Sequence, residues 1–215
     1  MGLTFRPAGH HWNYYIALDR DFEQVARFVE PSTENENTYS IELSRILMMA
    51  TQEVDVLMKM LCKLLDPAAK RRNIKHYEAV IESHIPDFKE ESVRIPRFGL
   101  TSQPWLNWSD EQSPFWWLAN NDIKHERNLH FNQATLKNAH NSLAALLLTN
   151  AYLVKHSLPE TNDPALANDW WRVTTRFNPA PNLHRLDESY YIAAGAIGQG
   201  KYLSLIHISE PTRPY

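Results

Sequence analysis

Two helical patterns in the chain carry charges of opposite sign on faces that should be apolar. Glu53 lies within the apolar stripe of a pattern over residues 40–66, and Arg127 lies on the apolar face of a pattern over residues 114–131. A buried charge destabilises a fold strongly unless an opposite charge meets it. The sequence therefore predicts that the two helices meet, either through a buried Glu53–Arg127 ion pair that fixes their register or around a polar pocket.

The pocket alternative would allow the chain to bind a phosphate or a nucleobase. Arginine offers a planar fork of donors that suits phosphate, and the imidazole of histidine titrates near neutral pH. His125 lies two residues before Arg127, and further polar side chains flank both helix faces. The candidate binding residues on these helices are Glu42, Arg45, Glu53, Asn120, Asn121 and Lys124.

The elements that must position these residues are helices. Strong helix formers without internal Gly or Pro fill residues 40–66, and Pro67 ends that pattern. Wound as an α-helix, the segment has Cys62 on its polar side and an apolar face centred on Ile46, Ala50, Leu57, Leu61 and Leu64. Other helical patterns cover residues 12–30, 74–84, 114–131 and 134–156. The pattern predicts an all-α fold, a helical bundle of about five helices with a Trp/Pro-rich insertion at residues 87–113.

The composition excludes several classes of function. The chain has 215 residues, one Cys and six Gly, and its 22 basic residues are balanced by 25 acidic ones. A single Cys excludes a disulfide framework and a Cys-rich zinc site, and the few Gly disfavour phosphate-binding loops. The sequence contains no paired metal-binding His motif and no G-x-S-x-G, Walker or dinucleotide fingerprint. We therefore expect no metal and no cofactor.

The charge balance and the hydropathy also limit the partners. The nearly equal numbers of basic and acidic residues do not imply a large surface for a nucleic-acid backbone, although they are compatible with a local basic groove. No apolar run is long enough to cross a bilayer, so we expect a cytoplasmic protein with no membrane partner.

Four Trp residues lie in and directly after the insertion. Packing of the insertion over the bundle is the simplest interpretation, and base stacking or a protein interface is the alternative. These residues are Trp105, Trp108, Trp116 and Trp117.

Residues 116–131, WWLANNDIKHERNLHF, combine an aromatic pair with the signature Asn-x-Ile-Lys-His-x-Arg. This signature resembles that of a group of uncharacterised bacterial proteins, and the resemblance extends over residues 12–156. Those proteins are similar in turn to the HEPN superfamily, all-α bundles that often dimerise and in several branches cleave RNA without a metal. The resemblance implies that the catalytic residues are Arg127 with His125 or His130. Histidine would act as acid or base, and arginine would stabilise charge at phosphorus. His130 follows Arg127 at a shorter distance than in the superfamily's Arg–His motif.

These observations divide the chain into four parts. Residues 1–11 are an N-terminal arm, residues 12–156 are the HEPN-like bundle, and residues 157–202 are an irregular segment whose aromatic residues predict packing on the bundle. Residues 203–215, LSLIHISEPTRPY, resemble the in-frame translation of an adapter used to prepare DNA libraries. We therefore expect the native sequence to be interrupted near Tyr202 and assign no function to this tail.

Two functions of different classes fit the sequence. The first is a HEPN-like domain that binds or processes RNA or a nucleotide, with a second copy or an antitoxin-like protein as candidate partner in phage defence or a toxin–antitoxin pair. The second is a non-enzymatic interaction or scaffold protein with a structural Glu53–Arg127 pair. Burial of Arg127 against Glu53 would favour the second, whereas an accessible site containing Arg127 and a histidine would favour the first.

Overall fold

The computed structural model describes residues 9–109, 111–159 and 169–191. Within these ranges the chain forms six α-helices: α1 (His10–Val25), α2 (Ile41–Leu65), α3 (Ile74–His84), α4 (Phe115–His130), α5 (Leu136–His156) and α6 (Asp169–Thr174). The predicted helical bundle is confirmed, because α1 to α5 correspond to the five helical patterns. The first helix begins inside the predicted N-terminal arm and ends at Val25 rather than near Glu30.

The helices α2 and α5 share the most extensive contact and form the centre of the bundle. Both begin at a side-chain cap, since Ser40 Oγ accepts from the Leu43 N–H and Thr135 Oγ1 accepts from the Asn138 N–H. The helices α1 and α4 contact both central helices, and α3 packs on α2. Surrounded in this way, α5 is buried on nearly all sides.

The buried face of α2 is wider than the predicted one. Four of its five predicted central residues are fully buried, namely Ile46, Ala50, Leu57 and Leu61. Leu47 and Val54 are fully buried too, whereas Leu64 is 45% exposed. At about 100° per residue, the centre of the buried face is turned by roughly 60° from the predicted centre. Because neighbours cover α2 on several sides, hydropathy alone did not identify the centre of this face. Cys62 is consequently buried and not on a polar side, and Glu53 lies half-buried at the edge.

The predicted insertion begins with a short hairpin. The strand β1 (Val93–Ile95) pairs antiparallel with β2 (Leu100–Ser102) through a tight turn that ends at Gly99. The φ of Gly99 is 65°, a left-handed conformation that glycine adopts without steric cost. The strand β3 (Arg185–Leu186) pairs with the other edge of β1, so the sheet has the order β2-β1-β3.

Three of the four clustered Trp side chains lie in the core. The rings of Trp105 and Trp108 have centroids 4.7 Å apart, and the Trp116 ring meets Trp105 edge-on at 5.1 Å. All three are at most 2% exposed, which confirms their packing role, whereas Trp117 is half-buried. Aromatic clusters of this kind stabilise a fold through buried area and ring contacts.

Residues 169–191 pack on the bundle. Phe177 stacks on Trp12 at 4.0 Å, and Trp170 meets Tyr152 edge-on at 4.8 Å. Residues 1–8, 160–168 and 192–202 and the tail at 203–215 lie outside the described residues. None of the described helices combines the length and the apolar character that crossing a bilayer requires.

Candidate functional site

The helix α4 carries most of the predicted site and is broken near its end. Its buried residues Trp116, Asn120 and Ile123 follow the predicted apolar face. At Glu126 the backbone leaves the helical region, with φ −138° and ψ 63°. Because the break interrupts the helical register, Arg127 does not continue this face and is exposed.

Three basic side chains surround this break. Lys124 and His125 precede it, Arg127 follows it, and all three are exposed. Arg127 Nη2 lies 3.5 Å from Met48 Sδ of α2. No carboxylate of the described residues forms an ion pair with Lys124 or Arg127, so their charges are free to bind an anion such as phosphate.

Hydrogen bonds hold the half-buried His130 in one orientation. Gln133 Nε2 lies 3.0 Å from Asp122 Oδ2 and 3.2 Å from His130 Nδ1. Since the amide can donate one N–H to each of them, the network assigns the proton of a neutral His130 to Nε2. That nitrogen lies 3.8 Å from Glu126 Oε2, a distance too long for a hydrogen bond. Its N–H can therefore donate a hydrogen bond to a bound molecule.

Phe131, the residue after His130, contacts a second aromatic side chain. Tyr39 is 51% exposed, and its ring packs edge-on against Phe131 at 5.9 Å. An open aromatic face can stack a nucleobase. We term the following group the α4-end surface: Tyr39, Lys124, His125, Arg127, His130 and Phe131.

The predicted Glu53–Arg127 pair does not form in the described residues. Glu53 Oε1 pairs instead with His11 Nδ1 of α1, at 2.5 Å. Glu53 lies on the edge of α2 that faces α1, and Arg127 lies beyond the break in α4. Glu53 and Arg127 therefore lie on different surfaces of the bundle.

Glu42 and Arg45 also belong to the surface shared by α1 and α2. Both are exposed, and Arg45 Nε donates to Glu42 Oε2 at 2.8 Å. Arg45 Nη2 donates to Asp21 Oδ2 of α1 at 2.8 Å. These hydrogen bonds raise the pKa of Arg45, so this guanidinium is charged and already paired.

The two predicted asparagines lie on the inner side of α4. Asn120 is buried, and its Nδ2 lies 3.5 Å from Oδ1 of the half-buried Asn121. The structure thus places Lys124, His125, Arg127 and His130 towards the end of α4, and the two asparagines in its first half. It does not bring Glu42, Arg45 and Glu53 to them.

A buried chain of one acid and two imidazoles was not predicted from the sequence. His184 Nδ1 lies 2.7 Å from Asp19 Oδ1, and His184 Nε2 lies 3.0 Å from His140 Nδ1. Asp19 and His184 are fully buried, and His140 is 7% exposed. Asp19 also accepts the backbone N–H groups of Asn182, Leu183 and His184. We term Asp19, His184 and His140 the Asp–His–His chain.

Burial and hydrogen bonds shift the pKa values of Asp19 and His140 in the Asp–His–His chain. Burial by itself would raise the pKa of Asp19, but the bonds from His184 and from the backbone outweigh it and hold that pKa below its ordinary value. Ionised Asp19 accepts from His184 Nδ1–H, and one hydrogen lies between His184 Nε2 and His140 Nδ1. Burial, reinforced by His184, lowers the pKa of His140 to about 3. His140 is therefore neutral near pH 7.

His140 lines a small pocket between the first turns of α5, the loop before α2 and strand β2. The pocket has a volume of about 80 Å³. His140 Nε2 and Ser102 Oγ are both buried and have no hydrogen-bond partner among the described residues. Such atoms are rare in native proteins and call for an explanation.

The sequence offered little signal for this arrangement. Asp19 and His184 are 165 positions apart, so no local spacing links them. His140 does fall among the apolar residues of the pattern over residues 134–156, where a polar side chain needs a partner. That signal indicates a partner without identifying it.

Among the described residues, no group of three or more His, Cys, Asp or Glu is arranged to hold an ion. Comparison of the chain with known protein families, with curated proteins and with solved structures finds no match.

Proposed function

We propose that the protein binds RNA or a nucleotide through the α4-end surface. The observation that carries this proposal is the exposed pair of cations, Lys124 and Arg127, which have no carboxylate partner among the described residues and adjoin two histidines. Cations of this kind bind phosphate, and the nearby Tyr39 offers a ring face to a base. The resemblance of the signature to HEPN-like proteins supports the same class of ligand.

The binding proposal is tested by fluorescence anisotropy with a labelled single-stranded RNA. We expect Arg127→Ala to weaken binding by about tenfold and to make the affinity less dependent on salt, because one phosphate contact is lost. The matched control is Arg27→Ala, which removes another exposed arginine and should bind as the wild type does. Equal affinity of Arg127→Ala and the wild type, or no binding by the wild type, would contradict the proposal.

The exposed position of Arg127 also makes the variant interpretable. Substitutions of exposed side chains outside special contacts change stability by about 0.5 kcal/mol or less. Unfolding of Arg127→Ala in urea should therefore match that of the wild type, and a loss of affinity then reports on the ligand contact.

A metal-independent ribonuclease is the second candidate, favoured by the orientation of His130. A base such as His125 would take the proton of a ribose 2′-hydroxyl, whose oxygen then bonds to phosphorus. The bond to the 5′-oxygen breaks, the proton held by the base passes to the leaving oxygen, and His130 Nε2–H would donate a hydrogen bond to a phosphate oxygen. RNA incubated in the presence of a chelator should then yield 2′,3′-cyclic phosphate ends, and His130→Ala should abolish them. Intact RNA with the wild type at every pH tested would exclude this activity.

The partner proteins remain a separate proposal. Val56, Met60 and Leu64 follow one another at helical spacing on α2 and are 42–45% exposed. Exposed apolar side chains in a row favour a protein contact, so a homodimer or an antitoxin-like partner fits this edge of α2. Sedimentation of the purified protein tests the homodimer, and a concentration-independent monomer would exclude it.

A further inference from the structure

We infer that RNA bound at the α4-end surface continues along α2 to a second group of cations, so that the ligand is a single strand of several nucleotides and not a mononucleotide. This second group lies where α2 passes into α3. We term it the α2–α3 cluster: Lys63, Lys70, Arg72 and Lys75. The inference rests on the RNA binding proposed above and adds to it the length of the ligand and a second contact.

The charge of the α2–α3 cluster is the first observation. Residues 59–75 contain six Lys or Arg and one acid, Asp66, although acidic residues outnumber basic ones in the whole chain. All members of the cluster are exposed, and no carboxylate of the described residues pairs with them. Such a local excess of positive charge attracts a polyanion.

Hydrogen bonds hold the loop of the cluster at the end of α2. Arg71 fastens this loop, because its Nη1 donates to three backbone carbonyls at 3.0–3.2 Å. These carbonyls belong to Asp66, Pro67 and Ala69. Lys70 and Arg72, on either side of Arg71, therefore stay close to the last turn of α2 while their side chains are exposed.

An open stripe of α2 connects the two cationic groups. Arg127 Nη2 lies 3.5 Å from Met48 Sδ, and Lys63 follows Met48 by 15 positions on the same helix. At about 100° and 1.5 Å per residue, Lys63 is displaced from Met48 by about 60° around α2 and by about 22 Å along it. Gln52 and Lys59 lie between them on this stripe and are exposed. A strand can therefore pass from one group to the other over a solvent-exposed surface.

The acidic side chains beside this stripe already have partners. The carboxylate of Asp55 accepts from Lys59 Nζ and from the Tyr77 hydroxyl, the latter at 2.6 Å. Glu53, further round the helix, pairs with His11. The stripe is therefore close to neutral between two cationic ends. We expect the ends to hold phosphates and the nucleotides between them to be bound more weakly.

The separation of the two groups determines the length of the ligand. A stacked strand advances about 3.4 Å per nucleotide, so about seven nucleotides span 22 Å, and an extended strand needs fewer. A mononucleotide cannot contact both groups. A strand already bound at the α4-end surface meets the α2–α3 cluster at a high effective concentration, which raises its affinity.

The inference is tested by fluorescence anisotropy with labelled oligouridines of three and twelve nucleotides. We expect the wild type to bind the 12-mer at least about tenfold more tightly than the 3-mer. Lys63→Ala/Arg72→Ala should weaken binding of the 12-mer by about tenfold and reduce its salt slope by about 1.4, because two phosphate contacts of a single strand are lost. The same variant should leave the affinity for the 3-mer unchanged, whereas Arg127→Ala should weaken the binding of both.

The matched control is Arg20→Ala/Arg27→Ala, which removes two exposed arginines outside both groups and changes the net charge equally. It should bind both RNAs as the wild type does. The inference is overturned if this control loses as much affinity as Lys63→Ala/Arg72→Ala, or if the latter binds the 12-mer like the wild type or weakens both RNAs equally. In these cases a loss of affinity in Arg127→Ala would still support the α4-end surface. No binding of either RNA by the wild type would contradict the proposed function and the inference together.

Discussion

The protonation of a single buried side chain, His140, makes the stability of the fold depend on pH. An unfolded chain carries His140 with an ordinary pKa of about 6.5, whereas burial lowers the folded value to about 3. Between these values the unfolded state binds more protons than the folded state. The free energy of unfolding contributed by His140 is therefore complete above the ordinary value and is lost as the pH falls towards the lower one.

We predict that the protein loses about 2–3 kcal/mol of unfolding free energy between pH 6.5 and pH 4.5 through His140, at about 1.4 kcal/mol per pH unit. Urea unfolding at a series of pH values measures this slope. In His140→Gln the slope should be smaller by about the same amount. A slope that the substitution leaves unchanged would show that His140 titrates normally.

Asp19 acts in a lower pH range. Because its pKa is depressed in the folded state, its contribution is present above the ordinary value for Asp and is lost as the pH falls through the depressed one. Acid should therefore destabilise the Asp–His–His chain in two steps, first through the imidazole and then through the carboxylate.

The sequence indicated which side chains are unusual more reliably than it indicated their partners. Glu53 was identified as a carboxylate that needs a partner, and His11 Nδ1 meets it at 2.5 Å. The predicted partner, Arg127, lies beyond a backbone break at Glu126, where the segment contains no Pro or Gly to signal it. Periodicity extrapolates a straight helix and so places Arg127 on the wrong side.

Helix bounds were predictable to within a few residues because local chemistry sets them. Ser40 and Thr135 cap α2 and α5, and Pro67 and Pro86 follow the ends of α2 and α3. The orientation of α2 was not predictable in the same way. Its burial depends on four neighbouring helices, and the strongest hydrophobic stripe does not reveal which side they cover.

The orientation of α2 leads to a prediction for Cys62. Burial raises the pKa of this thiol to about 12, and its side chain is fully buried. We expect no labelling of the native protein by a maleimide at pH 7.5, and one labelled thiol after denaturation. The control is Cys62→Ala/Leu64→Cys, whose thiol stands at a position that is 45% exposed and should react in the native state. Rapid labelling of native Cys62 would indicate the helix orientation predicted from the stripe.

On the scale of the whole molecule, hydrogen bonds between residues distant in sequence complete the fold. Asp19 in α1 accepts three backbone N–H groups from residues 182–184, and β3 completes the sheet begun by β1. Helical periodicity carries no information about pairings of this kind. The sequence analysis therefore predicted that the segment at residues 157–202 packs on the bundle, but it did not predict the position at which it packs. The buried carboxylate in α1 is what defines the docking position.

We predict that Asp19→Ala costs at least about 3 kcal/mol, because three backbone donors and His184 lose their acceptor in the core. Proteolysis within residues 169–191 should accelerate in this variant. Asp21→Ala, which removes a partly exposed carboxylate two residues away, should cost about 1 kcal/mol or less. Equal losses in the two variants, measured by urea unfolding, would contradict the role assigned to Asp19.

The late position of the partners of Asp19 has a consequence for synthesis on the ribosome. The carboxylate is made first, and the groups that satisfy it follow 163 to 165 positions later. Until they emerge, the nascent helices can associate only with an uncompensated acid at their interface. The final cooperative step of folding must therefore wait until residues 182–184 have left the ribosome, and until then the partly assembled bundle is open to chaperones.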